Sequence, residues 1–386
     1  MKILTVTTAF PRWRDDGHGA FVWELCRAIA QKGHIVEVVA MHAPGALRSE
    51  IWDGVRIRRL QYWLPARNQI LRKEGGGIPT AWQKYRIAKP QIVSLLSVYA
   101  MFLLSKAHNF DIIHAHWTLS AASAIPAASI HRRPLLVTTQ GSDILTFAQR
   151  GAIPRILTRV TLSRCTYTVA LSRHLAQKVI ELGIPSDKVD VIPNGVDTEF
   201  FAPSTRREDI ILFAGSLIER KGLRYLLEAF ESVCHLLPSF KLVVVGEGPL
   251  LPTYQRWVES RGLRDRVLFL GELPHSEVRN WMQIAKLFVL PSTEEGLGVV
   301  LLESLACGTP VLASSVNGIV DIVDSNVGAL VKPRSSQQLA EGMIALLGDR
   351  DKWFELSVNA RARAEEFDRK RVAEAYILRY KKLCQQ

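Results

Sequence analysis

Two kinds of hydrophobic pattern alternate along the chain. Short continuous runs of aliphatic and β-branched residues are followed by longer stretches in which apolar residues recur every three or four positions. The short runs predict strands buried on both faces, and the longer stretches predict the helices that cover them. Strands are predicted at residues 2–8, 35–40, 55–60, 111–114, 135–139, 167–171 and 189–192, and again at 210–214, 241–245, 267–270, 287–290, 310–313 and 329–331. Helices are predicted between them, for example at 21–32, 175–182, 223–236 and 298–307.

The alternation occurs twice, which predicts two α/β domains. A chain of 386 residues exceeds the usual size of one domain. The turn-rich segment IPNGVDTEFFAPSTRR at 192–207 separates the two sets, so we predict an N-terminal domain at 1–197 and a C-terminal domain at 205–365. Both are expected to be doubly wound, Rossmann-like domains, which bind ligands at the carboxyl ends of their strands. If those ends face each other, the two domains face across a cleft.

Composition narrows the class of protein. The chain is 48% hydrophobic and 22% charged, which is typical of a folded globular protein. Its five cysteines are scattered and never spaced as Cys-x-x-Cys, which argues against disulfides or a zinc site and favours the reducing cytoplasm. The N-terminus lacks a signal-peptide pattern, and the longest apolar run, 92–104, is shorter than the roughly 20 residues of a membrane-spanning helix. Three glycines at 75–77 predict a mobile loop tip.

The net charge of +12 is concentrated in the first half of the chain. Residues 1–200 contain 25 Lys and Arg against 14 Asp and Glu, a balance of +11, and much of the excess lies at 48–106. The basic residues of that region are mixed with Trp52, Tyr62, Trp63, Trp82 and Tyr85. Such a surface fits nucleic acid, anionic lipid, a phosphorylated acceptor or simply water. The aromatic residues favour peripheral contact with an anionic membrane, and no nucleic-acid-binding motif supports nucleic acid as the partner.

The clearest chemical signal is the segment PSTEEGLGVVLLESLACGTPVL at 291–312. A predicted strand ends at its proline, and a loop with Gly296 and Gly298 leads into a helix that begins near Val299. Backbone amides exposed at such a helix N-terminus, together with the helix dipole, favour a diphosphate.

Two glutamates of this segment carry the second half of the signal. Glu295 lies in the loop and Glu303 lies a full turn inside the predicted helix, eight positions further on. Carboxylates beside a bound phosphate are explained if they accept hydrogen bonds from hydroxyl groups. This requirement points to a sugar and a ribose.

The glutamate pair, followed by LACGTPVL, resembles the signature of the family-four glycosyltransferases of the GT-B fold. The resemblance extends over nearly the whole chain and is densest at 189–332. It implies that Glu303 binds the ribose hydroxyls and that Glu295 lies beside the transferred sugar. It also implies that the C-terminal helix at 366–386 packs back onto the first domain. The loop amides expected to hold the sugar and phosphates are those of Gly296, Leu297, Gly298, Val299 and Val300.

The segment AGSLIERKG at 214–222 resembles the part of the family that binds the diphosphate. Lys221 matches the family's lysine. Ser216 stands where an arginine is usual, and the adjacent Arg220 is the candidate to supply the missing positive charge. The segment VLFLGELP at 267–274 resembles the part whose main chain meets the nucleobase, which makes Leu270 a candidate contact.

The N-terminal domain contributes further candidates. DIIHAHW at 111–117 places His114 and His116 on one face of a strand end, and the resemblance implies that His116 lies close to the sugar while His114 is structural. Gly19 matches a glycine whose amide can approach a phosphate or the acceptor, although His18 interrupts the usual glycine pair. Asp143 either lines the acceptor side or caps the following helix.

The resemblance implies a retaining transferase that moves a sugar from a UDP- or GDP-type donor to a glycan or lipid-linked acceptor. Neither a cofactor nor an Asp-x-Asp metal site is expected, so Lys221, Arg220 and helix-end amides would neutralise the leaving diphosphate. Two alternatives remain open. One is a nucleotide-sugar epimerase of the same fold, and the other is a non-catalytic module that binds a nucleotide sugar or serves as a membrane scaffold.

Overall fold

A computed structural model describes residues 1–71 and 77–385 of the chain. The strands are β1 (Lys2–Thr7), β2 (Ile35–Met41), β3 (Ser49–Trp52), β4 (Val55–Leu60), β5 (Ile112–His116), β6 (Leu135–Thr139), β7 (Tyr167–Ala170), β8 (Val189–Val191), β9 (Ile210–Ala214), β10 (Lys241–Val245), β11 (Val267–Gly271), β12 (Leu287–Leu290), β13 (Val311–Ser314) and β14 (Gly328–Val331). The helices are α1 (Ala20–Gln31), α2 (Gly77–Lys84), α3 (Ala88–Lys106), α4 (Thr118–His131), α5 (Ala152–Ser163), α6 (Arg173–Glu181), α7 (Leu223–Val233), α8 (Leu251–Ser260), α9 (His275–Ile284), α10 (Val299–Ala306), α11 (Ser336–Leu347), α12 (Arg350–Glu366) and α13 (Arg369–Cys384). Of the predicted loop tip at 75–77, residues 75 and 76 lie outside the described residues, and Gly77 begins α2.

The chain forms two compact units. Unit 1 comprises Met1–Gly195 together with α13, and unit 2 comprises Val196–Asp368. The first boundary lies inside the turn-rich segment at 192–207. The chain leaves unit 1 after Gly195 and returns to it at Arg369, so the last helix belongs to the unit that contains the N-terminus.

Unit 1 contains an eight-stranded sheet in the order β3-β4-β2-β1-β5-β6-β7-β8. All pairs are parallel except β3 with β4. The strand order reverses between β1 and β5, where Thr7 pairs with His116 at the carboxyl ends. Doubly wound sheets bind ligands at this reversal. The fold therefore places the loop after β1 and the loop after β5 at the expected ligand edge of unit 1.

The C-terminal helix is part of the core of unit 1. Ala373, Tyr376 and Tyr380 of α13 are buried in the same hydrophobic cluster as residues of α1, such as Val22 and Ile29. Truncating the chain before α13 would therefore expose the core of unit 1.

Unit 2 contains a six-stranded, wholly parallel sheet in the order β11-β10-β9-β12-β13-β14. Its four central strands are almost fully buried runs such as IILFA and LFVL, which explains why they could be predicted from the sequence. Here the order reverses between β9 and β12. The two sheets confirm the prediction of an α/β protein with two Rossmann-like, doubly wound domains.

One edge strand was not predicted. Strand β3 has the sequence SEIW, pairs antiparallel with β4, and turns into it through Asp53 and Gly54, both with positive φ. An Asp-Gly pair between two strands is a strong hairpin signal. The hydrophobic pattern missed β3 because only Trp52 of its four residues is buried.

Helix α3 continues into a short helical turn, and the resulting span Ala88–Asn109 is the one described segment long and apolar enough to cross a membrane by length and composition alone. The mostly buried core helix of a soluble protein passes the same test, whereas 33% of the apolar window in this segment is buried. Here α3 is bonded into unit 1, because the Tyr99 hydroxyl donates to the carbonyl of Thr7 at 2.8 Å and the Gln91 amide donates to Asn68 at 2.8 Å.

Candidate active site

Two loops meet at the strand reversal of unit 2. One follows β9 and contains Ser216, Arg220 and Lys221; the other follows β12 and leads into α10. The backbone amide of Thr293 in the second loop donates to the carbonyl of Arg220 in the first at 2.8 Å. The sequence-predicted residues of the two loops are therefore held together by the backbone as well as by side chains.

Gly222 permits this close approach of the two loops. Its φ is +69°, and a Cβ at this position would lie 2.0 Å from the carbonyl oxygen of Pro291. Any side chain would therefore have to separate the loop after β9 from the loop after β12.

Replacing Gly222 with alanine should consequently destabilise unit 2. Left-handed backbone alone costs about 1–2 kcal/mol for a residue with a Cβ, and the overlap with Pro291 adds to that cost. Gly262→Ala is the matched control, because Gly262 has φ +66° but no atom within 4 Å of its Cβ position. Urea unfolding should show a larger loss for Gly222→Ala. Equal losses would mean that the loops adjust at no cost.

Glu295 lies at the centre of a cation–carboxylate cluster. It is buried, it accepts a hydrogen bond from Lys221 Nζ at 2.5 Å, and Arg220 Nη1 lies 3.6 Å from its other carboxylate oxygen. The Lys221 side chain is mostly buried, whereas that of Arg220 is half exposed. The structure thus brings three of the four sequence-predicted catalytic residues into one cluster and leaves His116 in the other unit.

The N-terminus of α10 lies directly after this cluster. Gly298 precedes the helix with φ +86°, and no side chain caps the first turn. The amides of Val299 and Val300 therefore belong to a helix end whose dipole favours an anion. Leu297 is buried and anchors the loop. The loop is also covered by a neighbouring turn, because a Cβ on Gly318 would lie 2.2 Å from the carbonyl oxygen of Gly296.

Glu303 lies further along α10 and has a histidine partner. His275, the first residue of α9, makes a hydrogen bond from Nε2 to Glu303 Oε1 at 3.0 Å. The His275 ring lies against Phe201 and Phe200, with ring centroids 5.1 and 5.8 Å away. These contacts fix the ring, so His275 holds one oxygen of Glu303 in place and leaves the other to bind elsewhere.

Sequence reasoning missed His275. The available signal was its position directly after LGELP, at the start of a helix that follows the carboxyl end of β11. Leu270, the predicted nucleobase contact, lies on β11, which is the edge strand and is separated from β12 by β10 and β9. No described contact joins Leu270 to the Glu295 cluster, and its role stays a prediction.

Ser216 follows the carboxyl end of β9, and its carbonyl accepts the amide of Ile218 at 3.0 Å. The two glycines of GEGPL support this loop. A Cβ on Gly246 would lie 2.1 Å from the carbonyl oxygen of Gly215, and a Cβ on Gly248 would lie 2.5 Å from that of Leu217. These glycines therefore allow the loops after β9 and β10 to pack together, which is a structural role.

In unit 1, His114 and His116 have different surroundings at the end of β5. His114 is bonded through both ring nitrogens, to Thr138 at 2.8 Å and to the Tyr380 hydroxyl at 2.7 Å. His116 Nδ1 faces the amide nitrogen of Gln140 at 3.1 Å, while its buried Nε2 has no partner among the described residues. The structure thus gives His114 a fully partnered, structural position and leaves one buried nitrogen of His116 without a partner among the described residues.

Burial keeps His116 neutral, because it lowers the pKa of His116 to about 3. The Gln140 amide donates to Nδ1, so the proton of the neutral ring lies on Nε2. His116 is therefore a hydrogen-bond donor at neutral pH. Asn194 assists by donating to the Gln140 carbonyl oxygen at 3.3 Å. The role of neither amide was predicted from the sequence.

Asp143 caps the helix that precedes it in the chain, and its carboxyl group also accepts backbone amides at the start of the helical turn Ser142–Phe147, in which it lies. Its carboxylate accepts the amide of Thr118, the first residue of α4, at 3.1 Å and that of Gln140 at 3.2 Å. Burial raises the pKa of Asp143 to about 6, and these hydrogen bonds oppose the rise. Trp117, the residue before α4, offers no capping side chain, so Asp143 caps this helix instead.

The loop after β1 is shaped around Gly19. Its φ is +77°, and a Cβ there would lie 2.7 Å from the carbonyl oxygen of Ala9. Asp16 braces the same loop by accepting hydrogen bonds from the Arg12 side chain at 2.8 Å and the His18 amide at 3.2 Å. Gly19 thus precedes α1, whose first turn also has no side-chain cap.

Within the described residues, no three His, Cys, Asp or Glu side chains are grouped to hold a metal ion. The sequence does contain one Asp-x-Asp, at Asp349 and Asp351. It is a helix cap, because the Asp349 carboxylate accepts the amides of Asp351 and Lys352 at 3.0 Å.

These features define a class of protein: two doubly wound units, one of which has a buried carboxylate held by two cations and an open helix end where its strand order reverses. The family model Glycosyl transferases group 1 matches residues 197–367, and the model Glycosyltransferase Family 4 matches residues 16–200. The chain belongs to the group 1 glycosyltransferases of the GT-B fold, and it is a transferase enzyme.

Individual relatives agree with this assignment. The chain is 28% identical to D-inositol 3-phosphate glycosyltransferase of Xylanimonas cellulosilytica, over 91% of this chain and 88% of that protein. Sucrose-phosphate synthase of Thermosynechococcus elongatus superimposes with a TM-score of 0.83 at 21% identity, over 99% of each chain. HepE of Anabaena in complex with UDP-glucose superimposes with a TM-score of 0.75 at 19% identity, over 99% of this chain and 100% of that one.

Proposed function

We propose that this glycosyltransferase moves a sugar from a UDP- or GDP-type donor to a hydroxyl of a lipid-linked or surface-polysaccharide glycan. It does so with retention of configuration and without a bound metal ion. The observation that carries the proposal is the Glu295 cluster with Lys221 and Arg220 beside the uncapped N-terminus of α10. The complex of the similar protein HepE with UDP-glucose supports a nucleoside diphosphate sugar as donor.

Transfer without a metal ion is supported by the groups that can neutralise the charge of the leaving diphosphate. When the glycosidic bond breaks, negative charge develops on the departing diphosphate, and preorganised donors stabilise it. Lys221 and Arg220 provide two positive charges and the first turn of α10 provides amides. Full activity in the presence of a chelator is the expected result.

Retention of configuration follows if the acceptor attacks on the face that the diphosphate leaves. That route needs no separate protein base, because an oxygen of the departing phosphate accepts the acceptor's proton. Both oxygens of Glu295 face cations, and His116 carries its proton on the nitrogen that lacks a partner. Neither group is therefore suited to remove a proton. Proton NMR of the anomeric product tests this step directly.

The donor class can be tested by calorimetric titration with UDP, GDP, ADP and NAD, with a chelator present. One nucleoside diphosphate should bind to the parent and bind more weakly to Glu303→Ala. Binding of none, or of NAD alone, would contradict the proposal. Conversion of the donor without any acceptor would favour an epimerase, and binding without turnover would favour a non-catalytic module.

Replacing Glu295 is expected to strengthen nucleotide binding and to slow sugar transfer. In the free enzyme the Glu295 carboxylate pairs with Lys221 and Arg220, so it competes with a diphosphate for these two cations. Glu295→Gln should therefore bind the nucleoside diphosphate at least about fivefold more tightly, since even a solvent-exposed pair contributes up to ~1 kcal/mol and this pair is largely buried. Transfer should fall because the sugar loses a positioning group. Glu294→Gln, the neighbouring loop residue, is the control, and weaker nucleotide binding by Glu295→Gln would disprove the competition.

A further inference from the structure

Helix α5 of unit 1 presents an apolar stripe to water. Its members are Ile153, Ile156, Leu157 and Val160, which are 72%, 57%, 54% and 45% exposed. They are spaced three and four positions apart, so they lie on one face of the helix. Four large aliphatic side chains in a row on one solvent-facing helix face form an interaction surface, unlike single exposed residues.

The opposite face of α5 is the one that packs on the protein. Thr158 and Leu162 are its buried residues, and they lie about half a turn away from the stripe. The helix contacts α4, whose core residues are mostly alanine and serine. The packing of Thr158 and Leu162 on the protein therefore fixes the orientation of α5. The stripe lies on the opposite face of the helix and stays exposed to water.

The charged residues of α5 and of its two flanking turns are all positive. Arg150, Arg155, Arg159 and Arg164 are exposed, and none of them pairs with a carboxylate among the described residues. The sequence contains no acidic residue between Asp143 and Glu181. Asp143 is buried and holds backbone amides, so it does not offset this charge. The surface thus combines exposed aliphatic side chains with exposed arginines that pair with no carboxylate among the described residues.

The basic region at 48–106, which first suggested a membrane, is a weaker candidate. Its Trp52 and Tyr62 are buried. Arg58 pairs with Glu37 at 2.6 Å, and Arg59 pairs with Glu50. Part of that aromatic and cationic surface is therefore already used inside unit 1.

We propose that α5 is a membrane-docking helix: the stripe inserts among the headgroups of an anionic bilayer, and the four arginines bind lipid phosphates. An apolar helix face bordered only by cations fits this interface, because anionic lipid supplies both the apolar depth and the opposite charge. The inference deepens the proposed function and rests on it, because it names the surface that would meet a lipid-linked acceptor. Gln140, the partner of His116, lies between β6 and the turn that leads to α5, so the helix follows the predicted acceptor edge in the chain.

Sedimentation with vesicles tests the surface. The full chain should bind phosphatidylglycerol-containing vesicles at low salt and bind phosphatidylcholine vesicles weakly. Replacing Ile153 and Leu157 together with serine should weaken binding at least about tenfold, since burial of one such side chain contributes roughly a decade. The matched control is Phe354→Ser with Val358→Ser on α12, because those residues have the same spacing and are 67% and 56% exposed. The control should bind as the parent does.

Charge reversal tests the arginines separately. Arg155→Glu with Arg159→Glu should abolish the preference for anionic vesicles, whereas Arg206→Glu with Arg264→Glu, which changes net charge equally in unit 2, should reduce binding far less. Parent-like binding by both α5 variants would overturn the inference. A parent that ignores anionic vesicles would also overturn it.

Nucleoside diphosphate titration of the same proteins separates this inference from the proposed function. The α5 variants should bind the nucleotide as the parent does, because their changes are exposed and lie in unit 1. If every protein binds nucleotide while vesicle binding is insensitive to α5, the docking surface alone is wrong. If none binds nucleotide, the proposed function is wrong.

Discussion

Lys221→Ala should lower kcat about a hundred- to a thousandfold. Removal of a single preorganised donor at developing charge costs about 2.7–4 kcal/mol, and Lys221 is the mostly buried cation of the Glu295 cluster. The effect should fall on kcat more than on KM, because the diphosphate gains charge as it leaves. Steady-state transfer to a hydroxyl acceptor, with donor release measured in parallel, gives both constants.

Lys286→Ala is the matched control for this variant. Lys286 is another lysine of unit 2 that pairs with a carboxylate, Asp209, at 2.5 Å. It should retain parent-like turnover and so separate a general loss of charge or stability from a loss at the site. Lys221→Ala with turnover within twofold of the parent would remove Lys221 from the mechanism. In that case the exposed Arg220 and the amides of α10 would have to carry the charge alone.

The strands could be predicted because parallel sheets bury both faces of each strand. Thirteen of the fourteen strands were predicted, most of them from continuous apolar runs, and their ends differ from the prediction by at most two residues. Strand β5 extends to His116, beyond the predicted end at 114, because the pattern stopped at the first polar residue. Both histidines of β5 are buried, which a hydrophobicity pattern does not reveal.

The candidate site could be predicted only where its parts are close in sequence. The loop with Glu295 and the helix with Glu303 follow from one short segment, since glycines and helix periodicity are local properties. The contact of Lys221 with Glu295 joins residues 74 positions apart, and that of His275 with Glu303 joins residues 28 apart. Such pairs depend on which strands are adjacent. The family resemblance assigned Lys221 and Glu295 to one site without pairing them, and the contact of His275 was missed.

Surface properties were the least predictable. A count of basic and aromatic residues favoured 48–106, yet Trp52 is buried there, stacked on Phe10 with ring centroids 6.2 Å apart. The stripe of α5 has helical spacing in the sequence, but the same spacing describes any helix that faces a core. Only the burial of Thr158 and Leu162 shows which of its two faces packs inward.

Glu303→Ala should weaken nucleoside diphosphate binding about 10- to 150-fold, and His275→Ala should weaken it less. A hydrogen bond to a carboxylate contributes about 1.5–3 kcal/mol, and Glu303 is expected to accept one from a ribose hydroxyl. His275 acts through Glu303, because its Nε2 bonds one carboxylate oxygen at 3.0 Å while the phenylalanines hold its ring. Loss of His275 should therefore misplace the carboxylate by allowing it to rotate, and His275→Gln, which keeps a donor, should restore part of the affinity.

A double-mutant cycle decides whether His275 positions Glu303 or contacts the nucleotide itself. If His275 acts only through Glu303, adding His275→Ala to Glu303→Ala should not weaken nucleotide binding further. The coupling energy should then equal in size the whole loss of binding free energy caused by His275→Ala alone. Additive losses would instead place His275 in direct contact with the ligand. Glu341→Ala, on the exposed face of α11, should leave calorimetric affinity unchanged throughout. Unchanged nucleotide affinity in Glu303→Ala would refute the ribose role, and the signature's second glutamate would then need an explanation in the packing of α9 against α10.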